Sequence, residues 1–174
     1  MHQISIAAIG RDRPGIVAGV TKVLYEQSCN LADCSMTILS GQFAMIMLLE
    51  APDSLTIEDL DEALRPACTE LELSLLIHQA RDEAGHSPGR PHVISLFGTD
   101  HPGIIYRVAS ELAQRQVNVT DLMSRIVGDG VYTVVLDIDL PEGLDAEGLE
   151  EELKKIAVEL QVDLSFRQAE IDPL

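Results

Sequence analysis

Gly10-Arg11-Asp12-Arg13-Pro14-Gly15-Ile16 returns as Gly98-Thr99-Asp100-His101-Pro102-Gly103-Ile104. The offset is 88 residues, and it also relates Asn30 to Asn118, Asp33 to Asp121 and Leu48 to Leu136. An offset held over half a chain marks a duplicated unit. The 174 residues then form two units of about eighty, each near the small end for independent folding. The halves are therefore expected to pack together and share buried surface. The boundaries read as 1–79 for the first unit and 92–174 for the second. Between them, 80–91 is polar, bears Gly and Pro and has no periodicity, so it reads as a linker.

Outward from the first loop, Ile4, Ile6 and Ala8 alternate with polar or small residues and end at Gly10, a short strand. Pro14-Gly15 opens a helical pattern of Ile16, Val17, Val20, Val23 and Leu24, one buried face at the helical period. Asn30 to Leu39 reads as a second strand, followed by a tight turn at Gly41-Gln42. Phe43 to Leu49 is a continuous apolar run, which predicts a strand buried or nearly buried on both faces. Thr56, with Asp59 three residues on, predicts a capping box opening a second helix. Ile57, Leu60 and Leu64 are its predicted face, and Pro66 is expected to kink or end it. Leu73, Leu75 and Ile77 alternate into a last strand. The second copy repeats the order, with Gly128-Asp129-Gly130 as its hairpin turn. The fold class is thus α+β: two tandem ferredoxin-like βαββαβ sandwiches, each an antiparallel sheet with both helices on one face. The other sheet face must be covered or kept polar.

Aromatic residues make up only 3% of the chain and Trp is absent, so both cores must be aliphatic. The formal net charge is −17. Thirteen acids against six bases give −7 in residues 1–90, and sixteen against six give −10 in 91–174. Both halves would repel a phosphate backbone, because nucleic-acid affinity comes largely from Lys and Arg. Direct DNA binding is not expected. RNA binding fails on charge and on the shortage of strand aromatics for base stacking. Cys29, Cys34 and Cys68 are odd in number and contain no Cys-x-x-Cys, so they read as reduced core or semi-core residues. No metal site, cofactor loop or nucleophile elbow is read, and the chain is not expected to be an enzyme. Met1-His2-Gln3-Ile4-Ser5 lacks the basic and apolar regions of a leader, and no apolar run reaches the ~18 residues of a membrane span. Residence in the cytoplasm is the expectation.

Each Asp-x-Pro-Gly loop stands where a first strand turns into a first helix. Gly15 removes a side chain beside free N–H groups, where the helix dipole favours a carboxylate. Asp12 reads as a helix cap or a partner for a ligand ammonium. Asn30 is expected at the same end of the sheet, its amide suited to both ends of an α-amino acid. The candidate ligand-binding residues are therefore Asp12, Arg13, Pro14, Gly15, Ile16 and Asn30, with Asp100, His101, Pro102, Gly103, Ile104 and Asn118. His101 in place of Arg13 predicts two chemically unequal sites, one of them pH-dependent. A turn-and-cap role would also account for the loops.

On these residues the sequence resembles the ACT domain, a small regulatory amino-acid-binding module. The resemblance runs over both halves and omits the linker. It implies effector binding where two such domains set their sheets or edges together, with the loops 12–16 and 100–104 as contacts faced by Asn30 and Asn118. For a tandem with no attached catalytic domain it implies a regulator responding to a small amino acid such as glycine. Such a regulator would act on transcription through a partner regulatory protein, with a homodimer as a possible assembly. The alternative is a ligand-independent interaction module acting on a metabolic enzyme in trans.

Overall fold

The computed structural model describes residues 1–80, 89–128 and 130–169. It contains two compact units, Met1–Ala84 and Gly85–Leu174. The first comprises β1 (His2–Arg11), α1 (Ile16–Glu26), β2 (Asn30–Leu39), β3 (Gln42–Ala51), α2 (Ile57–Glu70) and β4 (Leu73–Gln79). The second comprises β5 (Arg90–Thr99), α3 (Ile104–Gln114), β6 (Asn118–Val127), β7 (Val131–Leu140), α4 (Ala146–Glu159) and β8 (Val162–Gln168). The sheets have strand orders β2-β3-β1-β4 and β6-β7-β5-β8, and every neighbouring pair is antiparallel. This is the ferredoxin-like βαββαβ order in both units. Residues 81–88 of the expected linker lie outside the described residues. Ala80 still donates to the Gln3 carbonyl at 3.0 Å. Arg90 and Pro91, placed in the linker by the sequence reading, already pair with Leu140 and Asp139 in β5.

In the first unit Ile4, Ile6, Met45, Met47 and Leu49 of the sheet are buried against Ile16, Val20 and Leu24 of α1 and Leu60, Leu64 and Cys68 of α2. In the second, Ile94, Leu96, Val134, Leu136 and Ile138 meet Ile104, Val108, Leu112, Leu149 and Leu153. Apolar side chains three and four apart on each helix line up on one face and bury together, which is what holds these small units.

Four expectations change. The run Phe43–Leu49 is buried on one face only: Phe43, Met45, Met47 and Leu49 point inward, while Ile46 is 60% exposed. Both helices lie on the other face of its sheet, so the run reflects an apolar outer face and not a second layer. Leu48 and Leu136 are not equivalent. Register sets Ile6 opposite Met47, and its repeat mate Ile94 opposite Leu136. The hairpin of the second unit is one residue longer, so the offset becomes 89 and Asp137 occupies the place of Leu48. With a side-chain period of two, one residue decides which face a strand residue takes. Pro66 does not end α2, which runs four residues past it. Pro66 itself is exposed, so the carbonyl it cannot serve faces water. The burial of Leu60, Leu64 and Cys68 on both sides of it holds the helix together. Finally, Cys34 is exposed, because β2 is an edge strand whose ten residues are all exposed.

The first hairpin turns on Ser40 and Gly41, both with positive φ (50° and 79°). That is the type I′ geometry matching the twist of the flanking strands. It places the tip of the hairpin beside the end of β1, where Asp12 donates its N–H to the Gly41 carbonyl at 2.9 Å.

Candidate functional site

The loop 12–15 leaves the end of β1 and enters α1 through Gly15, the residue before the first helical turn. Its φ is +96°, and that of Gly103, its counterpart, is +103°. Such left-handed backbone is the reason for glycine here. A Cβ added at either position meets nothing within 4 Å, so both face open space. The first intrahelical bonds are Gly19 to the Gly15 carbonyl at 2.8 Å and Arg107 to the Gly103 carbonyl at 2.9 Å. The N–H groups preceding them in each helix have no intrahelical acceptor.

Among the described residues no side chain caps either helix. The expected capping by Asp12 is not made. The contrast lies within each unit. In α2, Thr56 Oγ1 accepts from the Asp59 N–H at 3.1 Å and Asp59 Oδ2 from the Thr56 N–H at 3.3 Å, the predicted capping box. In α4, Asp145 caps the Glu147 N–H at 3.1 Å. The second helix of each unit is capped by its own side chains, and the first is left open.

Arg13 and His101 do a shared job that their sequence gives no hint of. Arg13 donates through Nη2 to the Glu70 carbonyl at the end of α2, with Glu72 Oε1 3.7 Å from Nη1. His101 sets Nε2 2.7 Å from the Leu160 carbonyl at the end of α4, and Nδ1 3.2 Å from the Pro102 carbonyl. In both units the loop therefore sets a basic side chain against the carbonyl end of the second helix, where the helix dipole favours positive charge. Both ring nitrogens of His101 face acceptors, so only the protonated ring donates to both. The Leu160 carbonyl chiefly, then that of Pro102 and the charge of Asp100, hold the imidazole pKa above its ordinary 6.5.

Asn30 is not beside the loop. Gly10 pairs with Phe43 in β3, whereas Asn30 pairs with Glu50 at the other end of that strand. Seven residues at about 3.3 Å each separate the two levels by roughly 23 Å. The topology requires it, since β2 runs parallel in direction to β1 and starts where β1 starts. Asn118 likewise pairs with Asp139, far from Gly98 at Tyr132. Asn30 Nδ2 donates to Glu50 Oε2 at 3.3 Å. In each unit the Asn thus stands opposite a carboxylate, and Glu50 and Asp139 were missed in the sequence because they recur at 89 and not at 88.

Beside the first loop lies a groove of about 570 Å3, walled by Arg13, Pro14 and Gly15 on one side and Ala67, Glu70 and Leu71 on the other. Gly19 forms its floor because a Cβ there would stand 2.8 Å from the Leu71 side chain. In the second unit a groove of about 590 Å3 opens at the same end of the sheet, between Phe97, Thr99, Val131, Val158 and Gln161.

Two ACT-domain family models match the chain, one over residues 2–78 and the other over 92–158. Together they span most of both units, and the two loops fall inside them. The chain belongs to the ACT-domain family. Over 95% of its length it is 29% identical to the glycine cleavage system transcriptional repressor of Escherichia coli, covering 89% of that protein. Over 78 residues it is 38% identical to a UPF0237 protein of Methanopyrus kandleri, taking in 44% of this chain and 87% of that one. The fold of the chain matches a crystal structure of an unknown protein from Galdieria sulphuraria. The TM-score is 0.83 at 22% identity, over 97% of this chain and 99% of the other. A second crystal structure, provisionally described as a glycine cleavage system transcriptional repressor, matches at a TM-score of 0.77 and 19% identity over 98% of each chain. Among the described residues no helix is long and apolar enough to cross a membrane.

Proposed function

We propose that this tandem ACT protein is a non-enzymatic regulator that senses a small α-amino acid through the loops 12–16 and 100–104. It passes the bound state to a partner regulatory protein in the cytoplasm. The observation that carries the reading is the open first helix in each unit. An uncapped helix start behind a positive-φ glycine leaves oriented N–H donors and a positive dipole end for a carboxylate. The capped second helices have no such vacancy. Asp12 and Asp100, exposed on the same loops, would take the ammonium end. Pro14, Ile16, Pro102 and Ile104 shape and anchor the loops, with Ile16 and Ile104 buried.

Similarity over nearly the whole chain to a protein described as a transcriptional repressor supports a role in gene regulation. A net charge of −17 supports action through a protein rather than through direct contact with DNA. Glycine and its close relatives are the first effectors to test. Calorimetry of the full chain against a panel of α-amino acids should give saturable binding for a small member. Gly15→Ala and Gly103→Ala should weaken it. Binding at a hundredfold excess over Kd would stabilise the fold by about 2.7 kcal/mol. Absence of heat and of thermal shift across the panel would replace this reading with that of a ligand-independent interaction module.

A further inference from the structure

We propose that His101 is a proton-operated latch that ties the β5–α3 loop to the C-terminal end of α4, while Arg13 keeps the matching loop of the first unit latched at every physiological pH. The geometry carries this. His101 bridges two main-chain carbonyls, Leu160 across the unit at 2.7 Å and Pro102 on its own loop at 3.2 Å. A carbonyl only accepts, so both bonds require the imidazolium; the neutral ring has one proton and must release one carbonyl. The first unit solves the same problem with a guanidinium, donating to the last residue of α2, and that group does not titrate. Duplication thus produced one permanent and one titratable version of a single contact.

The charges around the ring leave its titration free to act. Asp100, on the same loop, favours the protonated form. On the helices behind it, Arg107 of α3 and Glu159 of α4 are bound to each other at 2.5 Å. Asp163 follows on β8, three residues beyond Leu160, and is exposed. Deprotonation therefore takes from the ring its charge at the negative end of α4 and one of its two carbonyls, and so loosens the loop that opens α3 without breaking a compensating ion pair. The latch is a property of the fold and does not depend on any bound ligand.

The test uses the full chain and two reporter amides. Arg107 N–H closes the first turn of α3 on Gly103, and Gly19 N–H does so for α1 on Gly15. Histidine resonances give the His101 pKa, and hydrogen exchange corrected for its intrinsic pH dependence gives the protection of both amides between pH 5.5 and 8.5. The His101 pKa should lie above 6.5. Each unit of elevation corresponds to a tenfold tighter latch in the protonated state. Arg107 protection should fall as pH rises through that value, while Gly19 protection stays level. His101→Arg should keep Arg107 protected throughout, and His101→Ala should leave it weakly protected throughout. A pKa at or below 6.5 overturns the proposal. So does level Arg107 protection in the wild type, or a pH-dependent loss that persists in His101→Arg. Should His101→Ala fail to fold, the wild-type and His101→Arg titrations decide.

Discussion

Replacing Gly15 by Ala should destabilise the first unit through its backbone alone. The residue has φ +96°, and the new methyl would meet no atom within 4 Å. No clash contributes, and the loss is that of an L-residue held in a left-handed conformation, about 1–2 kcal/mol. In a unit of about eighty residues that lowers Tm by roughly 4–16 °C. Gly103→Ala, at φ +103°, should do the same to the second unit. Gly10→Ala is the contrasting case, with no positive φ but a Cβ 2.7 Å from the Glu72 main-chain oxygen and 2.8 Å from the Leu73 side chain. It must push β4 off β1, so its loss should exceed that of Gly15→Ala. Urea denaturation followed by far-ultraviolet circular dichroism measures all three, with an unchanged m-value confirming that stability and not compactness has altered. Gly15→Ala as stable as the wild type would refute the argument, for the left-handed backbone would then impose no requirement. A stable Gly15→Ala that no longer bound an amino acid would mean instead that the glycine is there for a ligand's approach.

Leu64→Ala and Leu153→Ala remove fully buried side chains at the centre of each core and should each lower unfolding free energy by about 2–5 kcal/mol, read from the same urea curves. Thr56→Ala abolishes the capping box of α2 and should lose about 0.5–2 kcal/mol. Its Asp59 partner is held below the usual carboxylate range, chiefly by the Thr56 hydroxyl. The contribution of that pair is present above about pH 3.8 and is lost as pH falls through the lowered pKa, a loss that acid titration of Thr56→Ala should no longer show. For His101 the sign is opposite: its stabilisation is complete below pH 6.5 and is lost as pH rises through the elevated pKa, so thermal melts of His101→Arg should be flatter in pH than those of the wild type. A gel shift with the purified chain should show no binding to DNA at physiological salt; salt-sensitive, sub-micromolar binding would contradict it.

The repeat, the element order and most of each helical face were legible in the sequence, because hydrophobic period and Pro-Gly punctuation are local properties; Val17, read with the buried face of α1, is instead 44% exposed. Three things were not. The equivalence of Leu48 with Leu136 failed because one extra hairpin residue shifts the offset, and no local pattern records that shift. The two-sided burial expected for Phe43–Leu49 failed because an apolar run cannot say which face a helix covers. The placement of Asn30 beside the loop failed for a reason of direction: a strand entered from a returning helix begins at the opposite end of the sheet. Element order contained that answer, but the recurrence of loop and Asn at one offset invited a spatial reading that a shared offset does not license. The roles of Arg13 and His101 needed the fold itself, since their acceptors lie 57 and 59 residues away in the chain.

A duplicated feature is informative about function only after packing has claimed its share. Gly10 and Gly98 recur because β4 and β8 press against them: a Cβ at Gly98 would lie 2.7 Å from Val162 Cγ1. Asn30 and Asn118 recur opposite a carboxylate at the end of the neighbouring strand, a cross-strand pairing of the kind that stabilises a sheet edge. Arg13 and His101 recur as basic side chains on the carbonyl end of the second helix. Ile16 and Ile104 recur because they are core. What remains is an open helix start, twice, behind a glycine whose Cβ, were there one, would face open space, with an exposed Asp three residues earlier. An α-amino acid is a few ångströms long and cannot span the roughly 23 Å of strand between that start and the Asn of the same unit. Within a unit, the loop is therefore the part of the original constellation that packing leaves free, and the proposed carboxylate site rests on its N–H groups and not on the Asn.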